Sequence, residues 1–481
     1  MSTRVLSARN RQWVLREAAP PAFLAQMRGY HPIVATLLYQ RGLHDREQVD
    51  AFLNMEYGKG VHNPFSMRGM EAAARRIATA IAEQEPIAVY GDFDTDGVTA
   101  VTLLVQAITA MGGDIRPYIP HRLREGYGLN TEAIDQLANE GVRLLVTVDC
   151  GISNVAEVAH AKSHNIDVIV TDHHTPPEQL PDALVVVNPK QPGESYPFPQ
   201  LVGVGIAFKL VQGLTKLGLR PPGLTRDQLL DVVALGTVAD MGALTGENRV
   251  LVKYGLDAIN QTRRPGLQAL ITAAGLAQGR ITSGDIGFML GPRLNAAGRL
   301  EDARLAYQLL LADDAAVAKT LAAELNDANS RRQQVTRDVQ AAALQHARER
   351  GKLDNRIVVL DDESYPAGIV GLVAARLVDE LARPVLLIGH DERGSRGSAR
   401  SVPGFNIVEA LATCADLLER YGGHSAAAGF TIQNEHIPAL EARLLAYAAD
   451  RLPSNPTLTL DVDADVPLAS LSWELLAQLG A

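Results

Sequence analysis

Cysteine is nearly absent from this chain. The 481 residues hold two, Cys150 and Cys414, which form neither a disulfide framework nor a thiolate metal motif. A reducing cytoplasm is the compartment this predicts. Long apolar runs are missing as well: no stretch approaches about 18 uninterrupted apolar residues, which argues against a transmembrane helix. The first residues, Met1-Ser-Thr-Arg-Val5, lack the apolar core of a signal peptide. Positive charge is in deficit, with 45 Lys and Arg against 55 Asp and Glu and a formal net charge of −10. That speaks against a broad basic face for coating duplex nucleic acid, although a locally basic channel stays open. Acids neutralised by bound metal would also make the formal count too negative. Internal repeats and low-complexity segments are absent. What remains is an ordinary globular composition, 47% hydrophobic and 21% charged, long enough for two or three domains.

Against this plain background one stretch stands out, Ile87-Ala-Val-Tyr-Gly-Asp-Phe-Asp-Thr-Asp-Gly97. A short apolar run, read as a buried strand, ends in carboxylates at alternate positions: Asp92, Asp94 and Asp96. Like charges this close repel, and divalent cations between them reverse the sign of that interaction. The same grammar recurs where Leu144–Val148 runs into Asp149-Cys-Gly, and where Val168–Val170 runs into Thr171-Asp-His-His174. In an open parallel sheet, ligands bind beyond the carboxyl ends of the strands. Neighbouring strands would therefore bring Asp92, Asp94, Asp96, Asp149, Asp172, His173 and His174 to one place. Carboxylates with a histidine suit Mg²⁺ or Mn²⁺, and imidazole tilts the choice toward Mn²⁺. Two such ions, about 3.5–4 Å apart, would activate water and stabilise the leaving oxygen of a phosphodiester. An isolated Asp-x-Asp-x-Asp would serve equally as a solvated turn or calcium loop; three strand ends with one grammar favour the shared site. Asp240 closes an apolar helix, where a carboxylate opposes the helix dipole, and joins the candidate ligands.

The coarse organisation is α/β. Residues 1–85 read as helical. Residues 86 to about 190 alternate strand and helix, which predicts a parallel sheet covered on both faces. Residues 203–350 read as helical, with Asp313–Arg350 free of Pro and Gly and about 55 Å long if continuous. A second alternating unit starts near Arg356. In it Ile407–Tyr421 reads as a helix and Ala428–Ile432 as a strand. Pro453-Ser-Asn-Pro456 breaks the chain, and the strand from Thr457 has little left to pair with.

Candidate anion-binding groups are spread through these segments. Arg122 and Tyr127 follow the second strand. Arg293 and Arg299 flank Asn295-Ala-Ala-Gly298, Ser398, Arg400 and Ser401 share a small-residue stretch, and His424 follows Gly422-Gly423. Arginine suits phosphate through bidentate donation, and small residues let backbone N–H groups approach an anion. For any single arginine, a surface salt bridge is the competing reading.

Taken together, Asp92-Phe-Asp-Thr-Asp96, Val148-Asp-Cys-Gly151, Thr171-Asp-His-His174 and Val238-Ala-Asp240 resemble the signature motifs of the DHH phosphoesterase family. Gly422-Gly-His-Ser-Ala-Ala-Ala-Gly-Phe430 resembles the glycine-histidine motif of its associated C-terminal domain. Tyr118–Gly128, Gly291–Leu300 and Gly397–Asn406 match the bacterial branch that degrades single-stranded DNA. The resemblance implies a two-lobed α/β protein in which a parallel-sheet DHH catalytic domain is joined by a long helix to a smaller α/β DHH-associated domain. The implied divisions are a helical segment (1–85) packed on the catalytic domain (86–310), a connecting helix (311–352), a substrate-binding domain (353–452) and the incomplete start of an oligonucleotide-binding barrel (453–481). The implied activity is a 5′ to 3′ exonuclease on single-stranded DNA, with two Mn²⁺ or Mg²⁺ ions and release of 5′-mononucleotides, acting in DNA repair and recombination. Metal ligands would be Asp94, Asp96, Asp149, His173 and Asp240, with Asp149 as the bridge and Asp92 as an extra ligand. His174 would face the scissile phosphate, oriented with His173 by Asp172. Arg122, Tyr127, Arg293, Asn295, Arg299, Ser398, Arg400, Ser401 and His424 would contact substrate, Tyr127 by stacking on a base. Single-stranded-DNA-binding protein and a RecQ-type helicase are the implied partners. The alternatives are a phosphodiesterase of the same superfamily acting on short oligonucleotides or cyclic dinucleotides, and a non-enzymatic nucleic-acid-binding scaffold. Thr95 and the short C-terminal stretch depart from the family pattern, and the latter predicts weaker processivity.

Overall fold

A computed structural model describes residues 11–122, 124–390, 394–454 and 456–480. Met1–Val5, read above for a signal peptide, and Leu123 of the Tyr118–Gly128 stretch lie outside them. The chain divides into two compact units. One comprises Glu56–Arg332; the other joins the residues up to Met55 to those from Gln333 onward. The first 85 residues therefore do not act as one segment, and they are not wholly helical, because Gln12–Leu15 forms a strand, β1.

The Glu56–Arg332 unit is built on five strands: β2 (Ile87–Tyr90), β3 (Ile115–Tyr118), β4 (Leu144–Val148), β5 (Asp167–Thr171) and β6 (Val185–Val187). All pair in parallel, in the order β3-β2-β4-β5-β6. Strands β2 and β4 are buried at every position, as expected where helices cover both faces of a sheet. Successive side chains feed opposite cores. Ile87, Val89, Leu144, Val146 and Val148 join helices Met70–Ala82, Thr95–Ala110, Gly203–Lys216 and Arg226–Ala239. Ala88, Tyr90, Leu145, Val168 and Val170 join helices Thr131–Asn139 and Val155–Ser163 on the other side. After β2 the chain moves outward to β3, then crosses back to β4. The winding thus reverses between β2 and β4, and a crevice opens at their carboxyl ends.

The smaller unit contains β7 (Val358–Asp362), β8 (Val385–Gly389), β9 (Ser395–Arg400), β10 (Leu418–His424), β11 (Ala427–Ile432) and β12 (Thr459–Val462). Five of these form a mixed sheet in the order β10-β11-β9-β8-β7, with only β7 and β8 parallel. The expected helix Ile407–Tyr421 ends at Ala412, and Leu418–His424 is strand instead. Tyr421, Gly422 and Gly423 pair with Phe430, Gly429 and Ala428. Glycine gives a helix little support, and Gly423 adopts φ 143°, so the ladder to β11 prevails over local helical spacing. The strand after Pro456 also finds a partner: β12 pairs in parallel with β1, Gln12 opposite Thr459. Leu475, from helix Trp473–Leu479, then enters a core with Phe23, Met27, Val34, Leu38 and Val49. A continuous helix runs from Ala315 to Glu349, 35 residues, close to the length read from the sequence.

Inside the larger unit one buried ion pair ties four segments together, around His62, Tyr196, Lys209 and Glu247. Lys209 and Glu247 are both fully buried, with Nζ to Oε1 2.6 Å. Lys209 also donates to the His62 carbonyl at 2.6 Å, and Tyr196 donates its hydroxyl to Glu247 Oε2 at 2.5 Å. Removing one partner strands the other charge in a dry interior. Lys209→Met is therefore expected to lower unfolding free energy by about 3–5 kcal/mol, measured by denaturant titration. An unchanged midpoint would show that Glu247 re-pairs or gains water.

Candidate metal centre

Each candidate ligand sits just past a strand or helix end, and the backbone there is held tightly. Beyond β2, Gly91 leads to Asp92, and Asp94 caps helix Thr95–Ala110. Its Oδ1 accepts from the N–H groups of Asp96 and Gly97, at 3.0 and 3.1 Å. A Cβ at Gly97 would lie 2.5 Å from both the N and O of Asp92, so only glycine allows this loop to fold back. Beyond β4, Asp149 adopts φ 62°, a left-handed conformation that aspartate tolerates better than most residues. Its neighbourhood is pinned by Thr147 Oγ1 donating to the Cys150 carbonyl at 2.8 Å, and by the Tyr127 hydroxyl donating to the Asp149 carbonyl at 3.2 Å. Beyond β5 come Asp172, His173 and His174. Asp240 caps the carboxyl end of helix Arg226–Ala239.

These residues converge. Asp92, Asp94 and Asp149 offer ligand atoms within 4.8 Å of one another, as do Asp96, His173 and Asp240, and also Asp149, His173 and His174. The two acid groups meet where His173 Nε2 lies 3.0 Å from Asp149 Oδ1. That same nitrogen is 3.8 Å from Asp240 Oδ2 and 3.9 Å from Asp96 Oδ2. Asp92, an extra ligand on the sequence reading, is an integral member of the first group.

The electrostatics call for a cation. Burial, then the neighbouring carboxylates, hold Asp92, Asp96 and Asp149 well above the usual carboxylate range. Burial and Asp94 push Asp240 up to about 7. Asp92 Oδ1 is buried and accepts no hydrogen bond. An oxygen-rich set with one imidazole, crowded and largely buried, with Asp92 Oδ1 lacking a donor, fits hard divalent cations.

Asp172 is different. It is fully buried, yet its oxygens are committed inward. Oδ1 accepts from the N–H groups of His173 and His174 at 2.7 and 3.0 Å and lies 2.8 Å from His174 Nδ1, while Oδ2 accepts from Ile152 N–H at 3.0 Å. Burial alone would raise its pKa, but the hydrogen bonds and charge of His174 bring it below the usual range. Conversely, burial opposes protonation of His174, and Asp172 overcomes it, so the imidazole pKa is raised. Asp172 thus holds the backbone of both histidines and the ring of His174.

The anion-binding candidates fall into two sets. Arg122 places its guanidinium 4.5 Å from the Phe93 ring centroid; burial lowers its pKa against the pull of Asp92 and Asp94. Tyr127 is 46% exposed, enough for a base to stack on it, while its hydroxyl approaches His174 Nδ1 at 3.1 Å. Asn295 Oδ1 accepts from Thr95 N–H at 2.8 Å, which fixes the acidic loop. Arg293 donates to Asn326 Oδ1 at 3.1 Å and to the Met289 carbonyl at 2.7 Å. Arg299 lies on the last turn of the same helix, Gly291–Leu300. In the other unit, Ser398 and Arg400 share one face of β9, with Arg400 Nη1 donating to Ser398 Oγ at 2.9 Å. Ser401 donates to the Phe405 carbonyl at 2.6 Å, and exposed His424 ends β10.

Two residues escape a reading of the sequence, Gly203 and Val204. Asp96 Oδ2 and Oδ1 accept from their N–H groups, at 2.6 and 2.8 Å, so the acid also anchors helix Gly203–Lys216. A Cβ on Gly203 would lie 2.6 Å from the Asp149 Cβ. The available signal is Gly203-Val-Gly205 opening a helix, the usual place for backbone donors to meet an anion.

The model of the DHH family, N-terminal domain, matches residues 86–237, and that of the DHHA1 domain matches residues 354–450. The chain is 40% identical over 451 residues to the single-stranded-DNA-specific exonuclease RecJ of Bacillus subtilis, covering 93% of this chain and 56% of that protein. It is 36% identical over 471 residues to RecJ of Salmonella typhimurium, covering 93% of this chain and 80% of that one. The crystal structure of RecJ in complex with Mn²⁺ from Thermus thermophilus matches with a TM-score of 0.84 and 34% identity, over 98% of this chain and 68% of that one. The chain therefore spans little more than half of its Bacillus relative and four-fifths of its Salmonella relative, and it belongs to the RecJ family of DHH proteins.

Proposed function

We propose that this protein is a metal-dependent exonuclease that hydrolyses phosphodiester bonds of single-stranded DNA from the 5′ end and releases 5′-mononucleotides. The observation that carries the reading is the convergence of buried, mutually repelling carboxylates with His173 at the carboxyl ends of β2, β4 and β5. Asp92, Asp94 and Asp149 would hold one Mn²⁺ or Mg²⁺ ion, and Asp96, His173 and Asp240 a second, with Asp149 standing between. Bound there, such ions would polarise the phosphodiester and lower the pKa of water. The chain's own groups do the rest. His174, its pKa raised by Asp172, donates to a phosphate oxygen. Arg122 and Arg299 grip the 5′ phosphate, Asn295 and Arg293 set the loop and helix beside it, and Tyr127 stacks on a base. Ser398, Arg400, Ser401 and His424, carried by the other unit, supply hydroxyl and cationic groups suited to a phosphodiester backbone. Single-strand specificity is supported by the names of the relatives. No described helix is long and apolar enough to cross a membrane; the reading places the enzyme in the cytoplasm, in repair and recombination, with single-stranded-DNA-binding protein and a RecQ-type helicase as partners.

Single strands labelled at either end and incubated with Mn²⁺ should lose the 5′ label first, as mononucleotide. Early loss of the 3′ label would reverse the polarity.

Asp149→Asn keeps a side chain that tolerates the left-handed backbone and removes the central charge. Hydrolysis should fall by at least about a thousand-fold, several kcal/mol of lost transition-state stabilisation. A folded-state pKa held above the unfolded value means that ionisation at neutral pH opposes folding. The metal-free variant should therefore melt no lower than the metal-free parent. Full activity would remove Asp149 from the centre.

Gly203→Ala should push the Asp149 carboxylate aside and reduce turnover by about a hundred-fold, since displacement on the order of 1 Å has that effect. Circular dichroism should show the fold retained; unchanged turnover would mean that the helix start moves instead.

A further inference from the structure

The larger unit carries a second set of metal-type ligands that the catalytic reading does not use. Asp135 lies within helix Thr131–Asn139. His160 and His164 stand four residues apart on the adjoining helix Val155–Ser163, the latter as its C-cap. That spacing puts both imidazoles on one face. Both Nε2 atoms converge on one oxygen, Asp135 Oδ1, at 2.7 Å from His160 and 3.0 Å from His164. The two rings meet edge-on with centroids 4.8 Å apart, and one ligand atom from each residue lies within 4.8 Å of the other two.

The scaffold beneath is rigid while the ligands are accessible. Ile134 and Leu137 from one helix and Val158 and Ala161 from the other share a buried core. The side chains of His160, His164 and Asp135 are 32%, 37% and 50% exposed. His164 lies three residues before β5, which begins at Asp167. The cluster therefore sits at the amino end of the sheet, separated from the acidic centre by the length of β5, about 16 Å at roughly 3.3 Å per residue.

Two imidazoles and one carboxylate form a borderline-soft donor set. It suits Zn²⁺ better than Mg²⁺ or Mn²⁺, which prefer oxygen. Tetrahedral donors about 2.0–2.2 Å from zinc stand roughly 3.3 Å apart. The nitrogen–oxygen separations here are a few tenths of an ångström shorter, an adjustment within reach of exposed side chains. We propose that Asp135, His160 and His164 form a Zn²⁺ site that clamps helix Thr131–Asn139 to helix Val155–Ser163, with water in the remaining position.

The test uses the full chain, stripped by chelation and equilibrated with Zn²⁺ alone in a large excess of Mg²⁺, so that Mg²⁺ competes for the acidic centre. Bound zinc is counted by elemental analysis in the parent and in the double variant His160→Ala/His164→Ala. The parent should hold one more ion per chain, and Zn²⁺ should raise the Tm of the parent further than that of the variant. His164→Ala alone should bind this ion about ten-fold more weakly or worse. Hydrolysis in Mn²⁺ should be the same in all three. Should the double variant fold poorly, Asp135→Asn keeps the shape and removes the anionic ligand, and should lose the same ion. Equal zinc counts in parent and variants would overturn the proposal, leaving two imidazoles that simply hydrogen-bond to Asp135.

Discussion

Repulsion among buried carboxylates is the constraint on which the larger unit is built. Asp92, Asp96 and Asp149 are almost wholly excluded from water and lie within a few ångströms of like charges. Nothing in apolar packing favours that arrangement. Two features of the backbone make it tolerable. Asp94 sits at the amino end of helix Thr95–Ala110, and Asp96 accepts both of its backbone hydrogen bonds from the amino end of helix Gly203–Lys216. Helix amino ends carry partial positive charge and unpaired N–H groups. Asp240 has no such relief, because it stands at a helix carboxyl end, where the dipole opposes it. A cation is the natural complement of that imbalance, which gives the fold and the chemistry one electrostatic origin.

The acids are also fastened from behind. Asp172 spends its hydrogen-bonding capacity on the backbone of His173 and Ile152 and on His174, whose ring it holds through Nδ1. Asn295 holds Thr95, and a Cβ at Gly298 would approach the Phe93 carbonyl to 2.5 Å. Helix Gly291–Leu300 therefore presses directly on the acidic loop. Residues named for substrate contact thus include some, such as Asn295 and Arg293, whose visible partners belong to the protein itself. Asn295 fastens the acidic loop, and Arg293 ties its helix to Asn326.

How much of this is legible in the sequence follows from the range of each interaction. The strands β2, β4 and β5 and the acids after them are readable, because buried parallel strands are short apolar runs and their ligands follow immediately. The long helix is readable from unbroken helical spacing. Strand β10 defeats a local reading because its helical composition is local, while its pairing with β11 is a hairpin settled by two glycines. The pairing of β12 with β1 joins Thr459 to Gln12, a separation that no local pattern records. Gly203 is hidden for a related reason: its importance lies in the space it leaves for Asp149, more than fifty residues away in sequence, and an absent side chain leaves no motif.

Tyr127 reaches two residues of the candidate centre through one side chain. Its hydroxyl donates to the Asp149 carbonyl and also lies against the His174 ring nitrogen, while the residue remains open to solvent. A residue used only for stacking would not need a fixed hydroxyl, and one used only for structure would be buried. The tether is made to the carbonyl of a residue held at positive φ. The Tyr127 hydroxyl thus joins the backbone of Asp149 to the imidazole of His174. The ring also meets His174 edge-on, at 5.7 Å between centroids. A substitution that removes only this hydroxyl therefore loosens the Asp149 backbone and the His174 ring at once, although neither is its neighbour in sequence.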